Sequence, residues 1–383
     1  MAGDNQMISP RQASWILALD ILAAGLFRLP ACLGGQSFWR MMLSGFAVLL
    51  LLFVYYAASF SRLGRGAREN GGKSGDRELP GAFNIFLIFY YLAAAVYSVH
   101  YFYRIIEGLI PAAYSYPVTV LFLLAAVVYG AGKGIEVRGR MAELLGWLVF
   151  APFLVLFAAG FWQAAGYGWP MDPYAGEEYQ WKNILSGGYG AFWFFFLGDH
   201  PFLLRRKINM VVNGKTTPVK GIAGGCLMAF AALALTGMFF TPEGMAAEEQ
   251  PFGILLQMIR FPGNFISRYD VFFIMLWMMS FYIFAGGMLL EIVELSVELL
   301  EKAGLWEKSG TGQKDRKRRM KQWTAFFFGM LIFFLSVLAN QWDRFDMIFS
   351  CWMMWIGVPV CLLLIPAGVW QWHKVVKNGE KRW

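Results

Sequence analysis

Two stretches of this sequence carry residue types that fit poorly inside a regular apolar helix. The first is Ala23-Ala24-Gly25-Leu26-Phe27-Arg28-Leu29-Pro30. Gly25 loosens a helix, and Pro30 removes the N–H that would bond back toward residue 26. Small side chains at 23–25 would let a ligand approach the backbone, and Arg28 adds a fixed positive charge. The second is Phe194-Phe195-Phe196-Leu197-Gly198-Asp199-His200-Pro201. Gly, Asp, His and Pro in succession do not continue a regular helix, so backbone groups are freed there. In a bilayer such groups must face protein or a watery cavity. The chemistry available is therefore binding rather than catalysis. Half-helix ends present dipoles to a small polar guest, and Asp199 and Arg28 are charges to orient it. Asp20, one turn before the first stretch, and His200 are the residues that could take a proton or pair with a cation. The plainer alternatives are a first helix ending at its outer boundary, with Arg28 snorkelling to water, and an early cytoplasmic end to the sixth.

The elements that would position these residues are membrane spans. Of the 383 residues, 58% are hydrophobic and only 15% charged, against about 25% charged in a soluble domain. A bilayer can cover that much apolar surface. Spans of about 20 apolar residues are expected near 12–33, 37–60, 81–109, 116–132, 142–165, 184–204, 220–240, 266–292, 322–340 and 347–371. The fold class is thus all-α integral membrane, with about ten transmembrane helices and no separate soluble domain. With the N-terminus in the cytoplasm, 26 of the 33 Lys and Arg residues fall in cytoplasmic segments. That bias places both termini inside. The outer loops carry Asp172, Glu177, Glu178, Glu243, Glu248 and Glu249 instead. The basic run Lys314–Lys321 reads as a topology determinant touching anionic membrane lipid; nucleic acid is not expected as a partner.

The two polar stretches open the first and sixth spans. Ten spans then divide into two five-span halves, about 12–165 and 184–371. A five-span unit crosses the membrane an odd number of times, so its copy enters from the other side. Interrupted helices at corresponding places mark a 5+5 inverted repeat with broken helices 1 and 6. Weaker candidates lie elsewhere. Tyr97, His100, Tyr101 and Arg104 share one face of the third span, and Arg104 with Glu107 could be a structural pair. Trp277, Ser280 and Tyr282 in the eighth span are further pocket candidates. Three scattered histidines make no metal site, the four cysteines have neither disulfide nor zinc spacing, and the sequence carries no enzyme motif. Neither a catalytic metal nor a cofactor is expected.

The residues resemble the B subunits of spore germinant receptors, within the amino acid–polyamine–organocation transporter superfamily. The stretch AAGLFRLP is similar to that family's G-x-G-I-L-x-L-P. KGIEVRGRMAELLGW (133–147) resembles G-x-E-x-x-x-R-x-x-E, and ISRYDVFFIMLWMMSFY (266–282) resembles E-R-x-D-x-x-F-x-x-x-W. FFFLGDHPFLL falls where the family has a break like F-L-G-F-E. Ala23 replaces the first Gly, Arg28 stands where a small or apolar residue is usual, and Asp199-His200 replaces an apolar–acidic pair. The resemblance implies a nutrient sensor of the endospore inner membrane, or of a bacterial plasma membrane, working with an A subunit and a lipoprotein C subunit. Its ligand would be an amino acid or similar small nutrient. Ala23, Gly25 and Leu26, with Arg28 and Tyr97, would line the pocket, facing Phe195, Gly198 and Asp199. The ligand carboxylate would meet N–H groups near Gly25, helped by Arg28; its amine would meet carbonyls near Leu197–Gly198 and the Asp199 charge. An ion-coupled amino-acid transporter is the alternative, with Asp20, Asp199 and His200 as coupling residues. A channel or scaffold without a small ligand is a third.

Overall fold

The computed structural model describes residues 7–69, 81–110, 115–167, 181–208, 217–260, 269–303, 313–342, 344–359 and 361–362. Among the described residues, seven helices are long and apolar enough to cross a membrane, and three shorter apolar helices fill the remaining positions. Each of the ten expected stretches is met by one of them. The outer-loop carboxylates Asp172, Glu177 and Glu178, and the last part of the tenth span, lie outside the described residues.

The chain order is α1 (Pro10–Leu33), α2 (Phe38–Glu69), α3 (Gly81–Leu109), α4 (Tyr116–Ala131) and α5 (Ile135–Tyr167). α6 (Trp181–Phe192) runs into a tight 3₁₀ turn at Trp193–Leu197, and α7 (Pro201–Arg206) resumes the same crossing. Then come α8 (Thr217–Phe239), the short α9 (Pro242–Ala247) and α10 (Pro251–Met258), α11 (Tyr269–Lys302), α12 (Gln313–Asn340) and α13 (Phe345–Trp352), which passes into a π turn. Several helices outrun their apolar cores: α5 begins seven residues before the expected span at 142 and α11 ends ten residues after 292.

α1 starts at a reciprocal cap. Ser9 Oγ accepts from Gln12 N at 3.2 Å, and Ser9 N donates to Gln12 Oε1 at 3.0 Å, with Pro10 at the first helical position. It is the most enclosed span: 83% of its apolar window is buried, against 28% for α12. α11 follows at 78%. These two helices form the centre, and the others wrap them and face lipid.

The break expected in the first helix is not there. α1 is continuous from Pro10 to Leu33, with Pro30 inside it. Pro30 sits in the last turn, so it costs only the bond that residue 26 would have accepted, and Pro30 O is itself capped by Gly34 N at 3.0 Å. The break in the sixth crossing is present. Gly198, Asp199 and His200 are non-helical, and His200 O receives Leu203 N and Leu204 N to start α7. Pro201, at the first position of α7, has no N–H to continue the helix from behind.

α1 packs most extensively against α8, and glycines let the two approach closely. A Cβ on Gly221 would overlap Ser14 O, and one on Gly225 would stand 2.9 Å from Ala18 O. Four residues apart, they form a smooth stripe on which α1 lies. Elsewhere α1 contacts α6, α2 contacts α8, α3 contacts α11 and α4 contacts α12. Each of the first four crossings therefore touches the crossing five places later. At one membrane face Ile8 N bonds Lys207 O at 2.9 Å, and Lys207 Nζ reaches Glu291 at 2.6 Å and Glu294 at 2.8 Å. This ties the segment before α1 to the end of the sixth crossing and to α11.

Gly221→Ala and Gly225→Ala should each destabilise the purified protein by roughly 1–3 kcal/mol, by overpacking. Gly224→Ala, whose Cβ would meet only Phe150 at 3.8 Å, should stay within about 0.5 kcal/mol. Thermal unfolding in one detergent checks all three.

Candidate functional site

The broken crossing places Asp199 beside α1, α5 and α11, and a buried arginine joins them. Arg138, one turn into α5, sends Nη1 to Asp199 Oδ2 at 2.6 Å and Nη2 to Asp20 Oδ1 at 3.4 Å. Its Nε and Nη2 also donate to Ile283 O, in the middle of α11, at 3.1 and 2.8 Å. Asp20, Arg138 and Asp199 are each no more than 6% exposed. Gly287 makes room for the guanidinium: a Cβ there would overlap Arg138 and stand 2.8 Å from Asp199 Oδ1. Gly198 does the same from the break, where a Cβ would press on the Phe284 ring at 2.8 Å.

Two carboxylates thus share one guanidinium in a site closed to water. Taking three such groups out of water is costly, and only close mutual pairing offsets it. Asp20 Oδ2 and Asp199 Oδ1 remain buried without a hydrogen-bond partner among the described residues.

Backbone oxygens freed by the break find hydroxyls. Tyr90 OH donates to Phe196 O at 2.8 Å, and Tyr56 OH donates to Asp199 O at 3.0 Å. The 3₁₀ turn is thereby held by α2 and α3. His200 turns away from the ion cluster. Its ring lies among Tyr90, Tyr91 and Phe196, and its Nε2 is 3.5 Å from Cys361 Sγ.

Farther along α1, the small-residue stretch is covered by aromatic rings. The Phe195 ring and Ala229 occupy the space a side chain at Gly25 would need, at 3.2 and 2.9 Å. Trp277 Nε1 donates to Ala23 O at 3.1 Å and its indole stacks on Phe102. Leu26 is fully buried. Arg28 lies over the rings of Tyr101, Trp193 and Phe194 at 5.3–5.7 Å, a cation–π cage. Tyr97 stacks on Phe349 at 4.2 Å and touches Trp193. His100 reaches Asp346 at 3.5 Å, and Arg104 meets both Glu107 and Glu249 at 3.5 Å.

The expected residues therefore divide into two places about two turns apart on α1. Asp20, Gly198 and Asp199 gather at the ion cluster. Ala23, Gly25, Leu26, Arg28, Tyr97 and Phe195 gather under the aromatic cover, and His200 belongs to neither. Since α1 is unbroken, no freed N–H at Gly25 awaits a carboxylate; Arg28 is the cation on that side. Arg138 falls between the expected spans 116–132 and 142–165, where the charge bias counts it as a cytoplasmic loop residue; the structure corrects this and puts it inside α5. A signal for it exists in the sequence. Ile135, Arg138, Ala142, Leu145, Val149 and Phe153 recur every three or four residues, and all are buried. Arg138 sits on the apolar stripe.

The family model of spore germination proteins matches residues 7–304. The chain belongs to that family. No curated protein matches the sequence. Among solved structures, a substrate-bound, outward-open Na+-coupled sialic acid symporter superposes with a TM-score of 0.57 at 12% identity, covering 93% of this chain and 78% of the other. MHP1, a nucleobase-cation-symport-1 family transporter closed on bromovinylhydantoin, gives 0.51 at 12% identity, with 92% and 80% covered. MhsT in complex with L-phenylalanine gives 0.50 at 16%, with 95% and 89% covered. The fold is shared with these transporters, and with its seven long apolar helices the protein is a transporter-like integral membrane protein.

Tyr90→Phe and Tyr56→Phe each strand a buried carbonyl of the broken turn. Each should lower stability by about 1–3 kcal/mol, with the double variant more than either. Tyr129→Phe, at a residue 70% exposed, should do nothing measurable. Thermal unfolding of the four variants decides it.

Proposed function

We propose that this chain is the membrane subunit of a spore germinant receptor: it binds a small nutrient and signals germination without carrying that nutrient across. The nutrient is an amino acid. The family match supports the germination role. The observation that favours sensing over transport is the placement of Arg138. An acidic pair, Asp20 with Asp199, is what an ion-coupled carrier would use to hold its cation. Here the chain's own guanidinium fills that place and also holds the backbone of α11. A fixed internal cation supports the closed packing without drawing on an ion gradient. Asp20 and Asp199 are then structural charges rather than coupling residues.

The ligand region is the aromatic-covered surface of α1. Arg28 takes the carboxylate, and Gly25 gives the close approach once Phe195 swings aside. Leu26, Ala23 and Tyr97 flank it. Two of the neighbouring folds bear carboxylic acids by their descriptions, L-phenylalanine and sialic acid, which suits a lone arginine. The amine meets the 3₁₀ turn near Leu197–Gly198. Ligand favours the packing in which Phe195 is displaced, and that shift passes to an A subunit and a lipoprotein C subunit. The halves 12–165 and 184–371 act as inverted copies, supported by the contacts between crossings five apart. The protein sits in the spore inner membrane with both termini in the cytoplasm, supported by its Lys and Arg bias. The alternative is an ion-coupled amino-acid transporter, favoured by the Na+-coupled neighbour.

A panel of amino acids should contain one that raises the melting temperature of the purified chain. Arg28→Gln and Gly25→Trp should abolish that shift, and spores carrying either should fail to germinate on the same amino acid. Proteoliposomes should not accumulate it. Uptake that collapses with the ion gradient would establish the transporter instead. An unchanged nutrient response in both variants would dismiss the pocket.

A further inference from the structure

A groove of about 480 Å³ opens on the membrane-facing side of the protein, away from the ion cluster and the ligand region. Ile88 of α3, Leu299 and Leu300 of α11, and Trp323, Phe327 and Phe328 of α12 line it. Trp323 is 71% exposed and Phe327 63%, so none of the described residues covers these rings. The lining is mainly apolar, with Ser296 and Thr324 its two polar members, and the groove lies where the last turns of α11 meet the first turns of α12.

Charge at the rim identifies the occupant. Arg318 and Arg319 are exposed and have no carboxylate partner among the described residues. Among the described residues, two acidic side chains nearby are already paired: Glu301 with Lys317 at 2.7 Å and Glu298 with Lys302 at 3.3 Å. Arg319, Trp323 and Phe327 follow one another at four-residue steps. They form a single stripe of α12 with the cation one turn beyond the groove. An interfacial tryptophan stands between the charge and the apolar floor, as at a headgroup boundary.

We propose that this groove is a binding site for one anionic phospholipid, its phosphate on Arg318 and Arg319 and an acyl chain laid along Trp323 and Phe327. A long apolar chain ending in an anionic group matches both halves of the site. A zwitterionic lipid matches only the floor. The site spans α3, α11 and α12, so an occupied groove fastens α12 to the central helix α11.

The test titrates the full-length purified chain, in a neutral detergent, with dioleoyl phosphatidylglycerol, dioleoyl phosphatidylcholine or glycerol phosphate. Phosphatidylglycerol should raise the melting temperature and remain bound in native mass spectra; the other two should not. Replacing both arginines (Arg318→Gln with Arg319→Gln) should weaken phosphatidylglycerol binding roughly ten- to thirty-fold. Thr324→Trp keeps every cation but fills the groove, and should weaken it as much. Equal stabilisation by phosphatidylcholine, or phosphatidylglycerol binding unchanged in either variant, would overturn the site. A photo-crosslinker placed at Phe327 in native membranes should label lipid. Labelling of a second protein instead would overturn it in favour of helix docking.

Discussion

A guanidinium buried between two carboxylates governs the arrangement of this protein. Arg138 brings a charge from α5 into the one place where the sixth crossing has lost its helix. Asp199 is available there because Gly198 and Pro201 interrupt the hydrogen-bond ladder. Asp20 faces it from the most enclosed helix, and Ile283 supplies a carbonyl from the next most enclosed. Four elements meet at one side chain. Removing one member of such a buried set costs about 3–5 kcal/mol, because the charges left behind remain desolvated. Pairing of this kind adds little net stability over an apolar core. What it adds is a requirement that α1, α5, α11 and the break keep one geometry.

That requirement explains the closed packing around the proposed ligand region. With the break pinned by Arg138 on one side and by Tyr56 and Tyr90 on the other, the 3₁₀ turn cannot drift. Phe194, Phe195 and Phe196 are all buried, and Phe195 is pressed against the small face of α1. A guest must therefore move an aromatic side chain rather than enter an open cleft. A protein built so is suited to reporting occupancy, because the occupied and empty packings differ in discrete steps.

Much of the architecture was legible in the residues. Ten apolar stretches, their charge bias and the Gly-Asp-His-Pro break follow from the bilayer as solvent and from glycine and proline chemistry. The first helix was misread because Gly25 and Pro30 suggest a break in isolation. Gly25 is instead a contact surface for Phe195 and Ala229, and Pro30 lies too near the helix end to matter. Charge alone puts Arg138 in the loop before 142, whereas the apolar stripe from Ile135 to Phe153 that contains it shows the helix beginning earlier. The tyrosine hydroxyls could not be foreseen. Tyr56 and Tyr90 meet carbonyls 143 and 106 positions away, and no local pattern encodes such a meeting.

The account stands on the energetic link between the break and α5. A double-mutant cycle between Arg138→Met and Asp199→Asn measures that link by thermal or denaturant unfolding. Each single variant should be strongly destabilised, and the double variant should fall short of the sum of the two by about 2–3 kcal/mol, the coupling of the pair. Effects that add to within about 0.5 kcal/mol would mean that the two side chains do not hold each other, and the closed packing would need another cause.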